Sequence, residues 1–301
     1  MDEAILVPLD GSELAEQALP PAVELCRKGS ASLHLVRALL WAPDSPLSTG
    51  EEAEYLDGVA ERVAAELGRA ATTAVLPETA KRSGDWPASA RDTASHILEY
   101  AGRHEIGMLV MATHGRGGIA RAWFGSVADA IIRASDLPVL LIRPDAAEET
   151  ARPIRKVLVP LDAEPESRRA LRAATSLATA FDASLTLLRV IPWPYQVYGT
   201  LTPVTVVGTG SDLDTARDHA REQLEQDAAE VRAAGLEVDV AVVEDVSPGR
   251  AIVAFAEENG IDLIALATHA RKGFERMVLG SVADKVLRGA ECPVLMVRSA
   301  D

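Results

Sequence analysis

Apolar positions along the chain fall into two alternating patterns. Short continuous runs at residues 5–9, 33–38, 72–76, 108–112 and 138–142 are separated by stretches whose apolar residues recur three and four apart. The first pattern predicts buried strands and the second amphipathic helices packed on them. The helix signal is clearest at residues 51–68, through Leu56, Val59, Val63 and Leu67, at 89–103, through Ile97 and Leu98, and at 126–134. After the first strand, Ser12 can cap a helix carrying Leu14, Ala18, Val23 and Leu25, which Pro20 and Pro21 must bend or interrupt. A strand, a helix and a further strand in succession call for a right-handed crossover and a parallel sheet.

The alternation then starts again. Strands are predicted at 157–162, 185–191, 236–243, 263–267 and 294–297, with helices at 171–181, 214–234, 248–259 and from Ser281 onward. Between the halves, residues 144–153 are acidic and bounded by prolines, as a short linker would be. The stretch THGRGGIARAWFGS, from Thr113 to Ser126, recurs as THARKGFERMVLGS, from Thr268 to Ser281, and 268 − 113 = 155. Aligned without gaps over 113–143 and 268–298, the two copies share 15 of 31 residues. Unrelated sequences would share roughly two. LVPLD at 6–10 recurs at 158–162, an offset of 152. The reading is two tandem doubly wound α/β domains, 1–145 and 154–301, each with a five-stranded parallel sheet. An irregular stretch at 192–211 carries Trp193, Tyr195, Val197, Tyr198 and Leu201, apolar enough to pack on something.

Composition narrows the classes. With 45 acidic and 30 basic residues the net charge is −15, which opposes nucleic acid and anionic membranes as partners. The two glycine-bearing stretches are exceptions, positive islands carrying Arg116 and Arg121 in one copy and Arg271, Lys272 and Arg276 against Glu275 in the other. Cys26 and Cys292 lie in different halves and read as buried, reduced thiols. The N-terminus MDEAILVP lacks the basic region of a signal peptide, and no apolar run approaches about 18 residues, so a cytoplasmic protein is expected.

Each glycine-bearing stretch reads as strand, loop and helix N-terminus, where converging backbone N–H groups and the helix dipole favour a phosphate. Asp10 follows the first strand and the Gly115 loop the fourth, so both reach the crevice at the carboxyl ends of strands 1 and 4, where strand order reverses. The spacing GxxGx9G[ST] after a strand, the strand-end aspartate and the closing PVLLI resemble the universal stress protein family, over nearly all of both halves. The resemblance implies a Rossmann-like fold and, since some members bind ATP and others do not, a candidate nucleotide site. By position, Asp10 would meet the adenine and ribose, Ala38 would line the adenine pocket, and Gly115, Gly125 and Ser126 would hold phosphates. Pro8, Met111, Ala112, Arg116 and Val127 complete the first site. Asp162, Val190, Ala267, Ala270, Gly280 and Ser281 are the counterparts in the second. The pattern's first glycine is Ala112 or Ala267 here, and its second survives as Gly115 but becomes Ala270. An alanine forced into a left-handed conformation loses about 1 to 2 kcal/mol, so the second site is expected to be the weaker.

Other chemistries lack their residues. There is no GxxxxGK[ST], no HExxH among the six histidines, and no GxSxG around Ser12, Ser126 or Ser281, whose plainer role is helix capping. His114 and His269 recur but read as loop structure, and Asp10 and Asp162 also fit as turn-forming carboxylates. The expectation is an ATP-binding stress-response sensor or regulator, with or without Mg on the nucleotide, that is not a dedicated enzyme. The alternatives are an interaction module of the same fold that binds no nucleotide, and a weak ATP-using transferase. The apolar last strands, 139–142 and 294–297, are expected to join the halves, because each would otherwise be an exposed edge. A homodimer of the tandem chain is a further expectation.

Overall fold

The protein is described by a computed structural model covering residues 3–38, 49–76, 89–113, 125–143, 153–192, 210–269 and 279–299. The predicted linker and the irregular stretch at 192–211 lie outside the described residues apart from their ends. In the first half the strands are β1 (Ala4–Leu9), β2 (Leu33–Ala38), β3 (Thr72–Leu76), β4 (Ile106–Ala112) and β5 (Val139–Ile142). The helices are α1 (Glu13–Glu16), α2 (Leu19–Lys28), α3 (Thr49–Leu67), α4 (Ala90–Arg103) and α5 (Ser126–Ala134). The second half repeats the plan with β6 (Lys156–Pro160), β7 (Ser184–Ile191), β8 (Val238–Glu244), β9 (Leu263–His269) and β10 (Val294–Ser299). Its helices are α6 (Arg168–Phe181), α7 (Gly210–Ala233), α8 (Pro248–Glu258) and α9 (Ser281–Gly289).

The interruption expected near Pro20 and Pro21 falls just before them. The helix is interrupted between α1 and α2, and the prolines occupy the first turn of α2, where no intrahelical donor is needed. Ser12 caps α1, its side chain accepting from the Ala15 amide. His269, read as loop, is the last residue of β9, because pairing with β10 continues to Ser299. Cys26 is buried, but Cys292 is only partly so, since it precedes β10 at the sheet margin. Burial pushes the thiols up, to about 11 for Cys26 and about 12 for Cys292, so both are protonated at neutral pH.

The strands run in the order β3-β2-β1-β4-β5-β10-β9-β6-β7-β8. Within each half all pairs are parallel, and β5 and β10 meet antiparallel with Leu140 opposite Leu295. Two five-stranded parallel sheets thus form one continuous sheet. Alternation along each strand sorts the apolar residues onto two faces. Ile5, Val7, Leu33, Leu35, Val157 and Leu185 pack under α2, α3, α6 and α7. Leu6, Val36, Leu109, Leu158 and Leu188 pack under α4, α5, α8 and α9. Each core layer contains residues of both halves, so the junction is as apolar as the domain interiors.

Candidate functional site

Strand order reverses beside β1 in the first half and beside β6 in the second, and the candidate residues gather at the carboxyl ends of the strands on either side. In the first half Asp10 follows β1, Ala38 ends β2, and Met111 and Ala112 end β4. The amide of Gly125 donates to the carbonyl of Thr113 at 2.6 Å, which draws the start of α5 back against the end of β4. Gly125, Ser126 and Val127 therefore lie beside the strand-end residues. Pro8 stands opposite Val36 in register, two positions before Asp10. Residues 114–124, with Gly115 and Arg116, and residues 270–278, with Ala270, lie outside the described residues. In the second half Asp162 follows β6, Val190 is near the end of β7, Ala267 is near the end of β9, and Gly280 and Ser281 begin α9.

The helix starts correct one expectation. Ser126 and Ser281 do not cap; the N-caps are Gly125, extended at φ −64°, and Gly280, at φ −57°, and neither helix has a side-chain cap hydrogen bond. The serines fall one position too late, inside the first turn. The consequence is chemical, because the amides of these first turns are served by no capping side chain and the positive end of the dipole faces the crevice. A Cβ built on Gly280 meets nothing within 4 Å, so neither crowding nor a left-handed backbone requires glycine there.

The carboxylates are held differently. Asp10 is half-buried, and its Oδ1 accepts from the Ser12 amide at 3.0 Å and from the Ser12 hydroxyl at 2.5 Å. Asp162 is exposed, and its Oδ1 accepts from the Glu164 amide at 3.1 Å. Both make the turn expected of an aspartate after a strand, and both carboxylates stand at the crevice.

Two arginines were not among the sequence candidates. Arg37 on β2 is buried, ion-paired with Glu52 and stacked 5.0 Å from the ring of Tyr55 on α3. Tyr55 in turn donates to Glu16 at 2.8 Å, and burial together with that carboxylate raises its pKa well above the usual phenol value. Arg189 is the equivalent on β7, 152 positions later. It donates to the carbonyls of Leu161 and Asp162 and to Gln223 on α7, and burial lowers its pKa. The signal was present in the repeat of SLHLVRA as SLTLLRV, an arginine placed near the end of an apolar strand in both copies. Among the described residues no group of three or more His, Cys, Asp or Glu could hold a metal, and no helix is long and apolar enough to cross a membrane.

A tandem pair of doubly wound α/β domains, each with a strand-end carboxylate and a glycine-led helix at its switch point, belongs to the class of open α/β sheets whose ligands sit at the carboxyl ends of the strands. Comparison with known proteins gives the family. The universal stress protein family profile matches residues 1–143 and again 153–298, and the chain belongs to that family. A universal stress protein of Mycobacterium tuberculosis is 30% identical over 200 residues, covering 65% of this chain and 63% of its own length. One from Bacillus subtilis is 30% identical over 147 residues, 48% of this chain and 98% of its own. The crystal structure of a universal stress protein from Archaeoglobus fulgidus matches all of both chains with a TM-score of 0.69 at 20% identity, a likeness of fold.

Proposed function

We propose that the protein binds an adenine nucleotide, ATP foremost, and acts as a sensor or regulator in a stress response rather than as a dedicated enzyme. The observation carrying this reading is that each half places a strand-end carboxylate beside a helix N-terminus with no side-chain cap. Those groups suit the two ends of a nucleotide. Amides that no capping side chain serves, together with the dipole, attract phosphate, and a carboxylate accepts hydrogen bonds from hydroxyl or amino groups. Ala38 and Val190, partly buried beside the apolar core, offer a surface for the base. Any Mg²⁺ would arrive on the phosphates, as that cation commonly does, rather than in a cage of protein ligands.

The activity proposed is binding, with turnover far below that of a dedicated ATPase, because these groups would contact phosphate in the ground state and none among the described residues is placed to activate water. The halves are proposed to work as one body through β5 and β10 in solution, and light scattering tests whether the tandem chain pairs further into a homodimer. The replacement of a loop glycine by Ala270 favours a second reading for the second half, a fold element that binds nothing. Mass spectrometry of ligand released from gently purified protein, followed by calorimetric titration with ATP, tests the proposal. A co-purifying adenine nucleotide and a saturable heat support it; neither, in folded protein, overturns it.

A further inference from the structure

The peptide that carries Asp162 is gripped from behind. Val190 faces the core layer beneath α8 and α9, and Arg189, the preceding residue of β7, therefore points to the opposite side of the sheet. Its Nε donates to the carbonyl of Leu161 and its Nη2 to that of Asp162 at 2.8 Å. Its Nη1 donates to Oε1 of Gln223 on α7 at 3.2 Å, which fixes the plane of the guanidinium. One rigid fork thus holds two consecutive carbonyls of the strand-end turn, a geometry a lysine cannot reproduce. In the first half Arg37 is engaged by Glu52 and Tyr55 of α3 instead, and there Ser12 holds the aspartate through its amide and hydroxyl. Position 12 corresponds to Glu164 in the second half, which supplies an amide but no hydroxyl.

We propose that Arg189 is a positioning residue of the second site, setting the aim of the Asp162 carboxylate at the ribose hydroxyls of a bound adenine nucleotide. The proposal rests on the nucleotide reading above. The ribose follows from topology and charge. Strand β6 lies between β9, which leads into α9, and β7, which carries Val190. A ligand with phosphates at α9 and base on Val190 has its sugar over the end of β6. A carboxylate there repels phosphate and only accepts hydrogen bonds, so the sugar hydroxyls are its natural partners.

The test uses the full chain in a Gly125→Asp background, in which a carboxylate at the start of α5 disfavours phosphate at the first site. ATP and 2′,3′-dideoxy-ATP are titrated calorimetrically into this protein and into its Arg189→Lys variant. The expected result is a loss of about ten-fold for ATP, with the affinity of the analogue lacking ribose hydroxyls held to within about two-fold. An equal loss for both probes means that Arg189 only supports the fold, and no loss for either means that it does not act on the site; each overturns the proposal. Gln223→Met, which keeps both carbonyl contacts but frees the guanidinium to turn, is expected to show a smaller loss of the same selectivity. It carries the test if Arg189→Lys does not fold, and an unchanged preference there overturns the proposal. If the background protein binds neither probe, the nucleotide reading of the second half falls and this proposal with it. A failure confined to the variants leaves that reading standing.

Discussion

His34 has no titratable counterpart in the second half, where an offset of 152 places Thr186. Its Nδ1 lies 2.9 Å from the Tyr100 hydroxyl, His104 stacks on Tyr100 at 4.0 Å, and the two histidine rings are 5.7 Å apart. The groups facing it from neighbouring strands, Leu6 on β1 and Thr72 on β3, do not titrate. Burial, with His104 adding to it, lowers the pKa of His34 below 6.5. The unfolded chain therefore takes up a proton at a higher pH than the folded one. Stability from this residue is complete above the ordinary histidine pKa and is lost as pH falls through that value toward the lowered one. Urea midpoints measured from pH 7 to pH 5 are expected to fall in the intact protein, and to fall less in His34→Thr. Equal slopes would show that the ring titrates as if exposed. In the sequence His34 was one of six isolated histidines, and nothing local marked it, because its partners come from a helix 66 positions away.

The helices that open at the crevice were legible almost residue by residue, since Ser126–Ala134 was predicted with the bounds observed. Their caps were not, because glycine followed by serine looks like a capping serine until the backbone shows which residue is the first helical one. That detail gives a prediction. Gly280→Asp meets no steric obstacle, and a carboxylate N-cap should stabilise α9 by about 0.5 kcal/mol while opposing phosphate at the same amides. Thermal melts should show an unchanged or slightly raised Tm, and titration with ATP a weakened second site. Retained ATP affinity at that site would show that its phosphates do not lie at α9. A second prediction concerns how closely α8 and α9 approach. A Cβ on Gly249 would stand 2.7 Å from the Cβ of Lys285 and 3.1 Å from the carbonyl of Val282. Both obstacles are near the helix backbone and cannot swing aside, so Gly249→Val should cost about 1 to 3 kcal/mol in chemical denaturation. The first half has Ala94 at the equivalent position, 155 residues earlier.

At the scale of the molecule the antiparallel pairing of β5 and β10 relates the halves by an approximate twofold axis through the sheet. The carboxyl ends of the two sets of strands, with the candidate sites, consequently lie at opposite ends of the sheet. Contacts across the junction are reciprocal. Arg143 donates to the carbonyl of Ala290 at the end of α9, and Arg298 pairs with Asp136, just beyond α5, at 2.8 Å. Lys28 of the first half lies 5.9 Å from the ring of Phe181 in the second. At the centre Leu140 and Leu295 are fully buried opposite each other. A charge placed there has no partner, and Leu140→Arg should cost several kcal/mol, about 3 to 5, and part the halves. Small-angle scattering is expected to show a larger radius of gyration for this variant with secondary structure retained by circular dichroism. An unchanged radius would mean that other contacts suffice.

The sequence by itself determined the duplication, the alternation of strands and helices, and which residues stand at strand ends, because these depend on periodicity and on glycine, proline and aspartate acting over a few positions. Asp10 and Asp162, Ala38 and Val190, and the starts of α5 and α9 were legible for that reason. Only the tertiary structure decided which glycine caps each helix and what each strand-end arginine grips. That the apolar last strands join the halves was expected from the sequence, and the tertiary structure decided that they pair antiparallel, so that the two sheets are one. Arg37 and Arg189 have equivalent positions and similar surroundings in sequence, yet one meets Glu52 and Tyr55 while the other reaches Leu161, Asp162 and Gln223. Their partners lie on helices and on a strand-end turn remote in the chain, and a long charged side chain chooses among them by distance and desolvation, which exist only once the layers have packed.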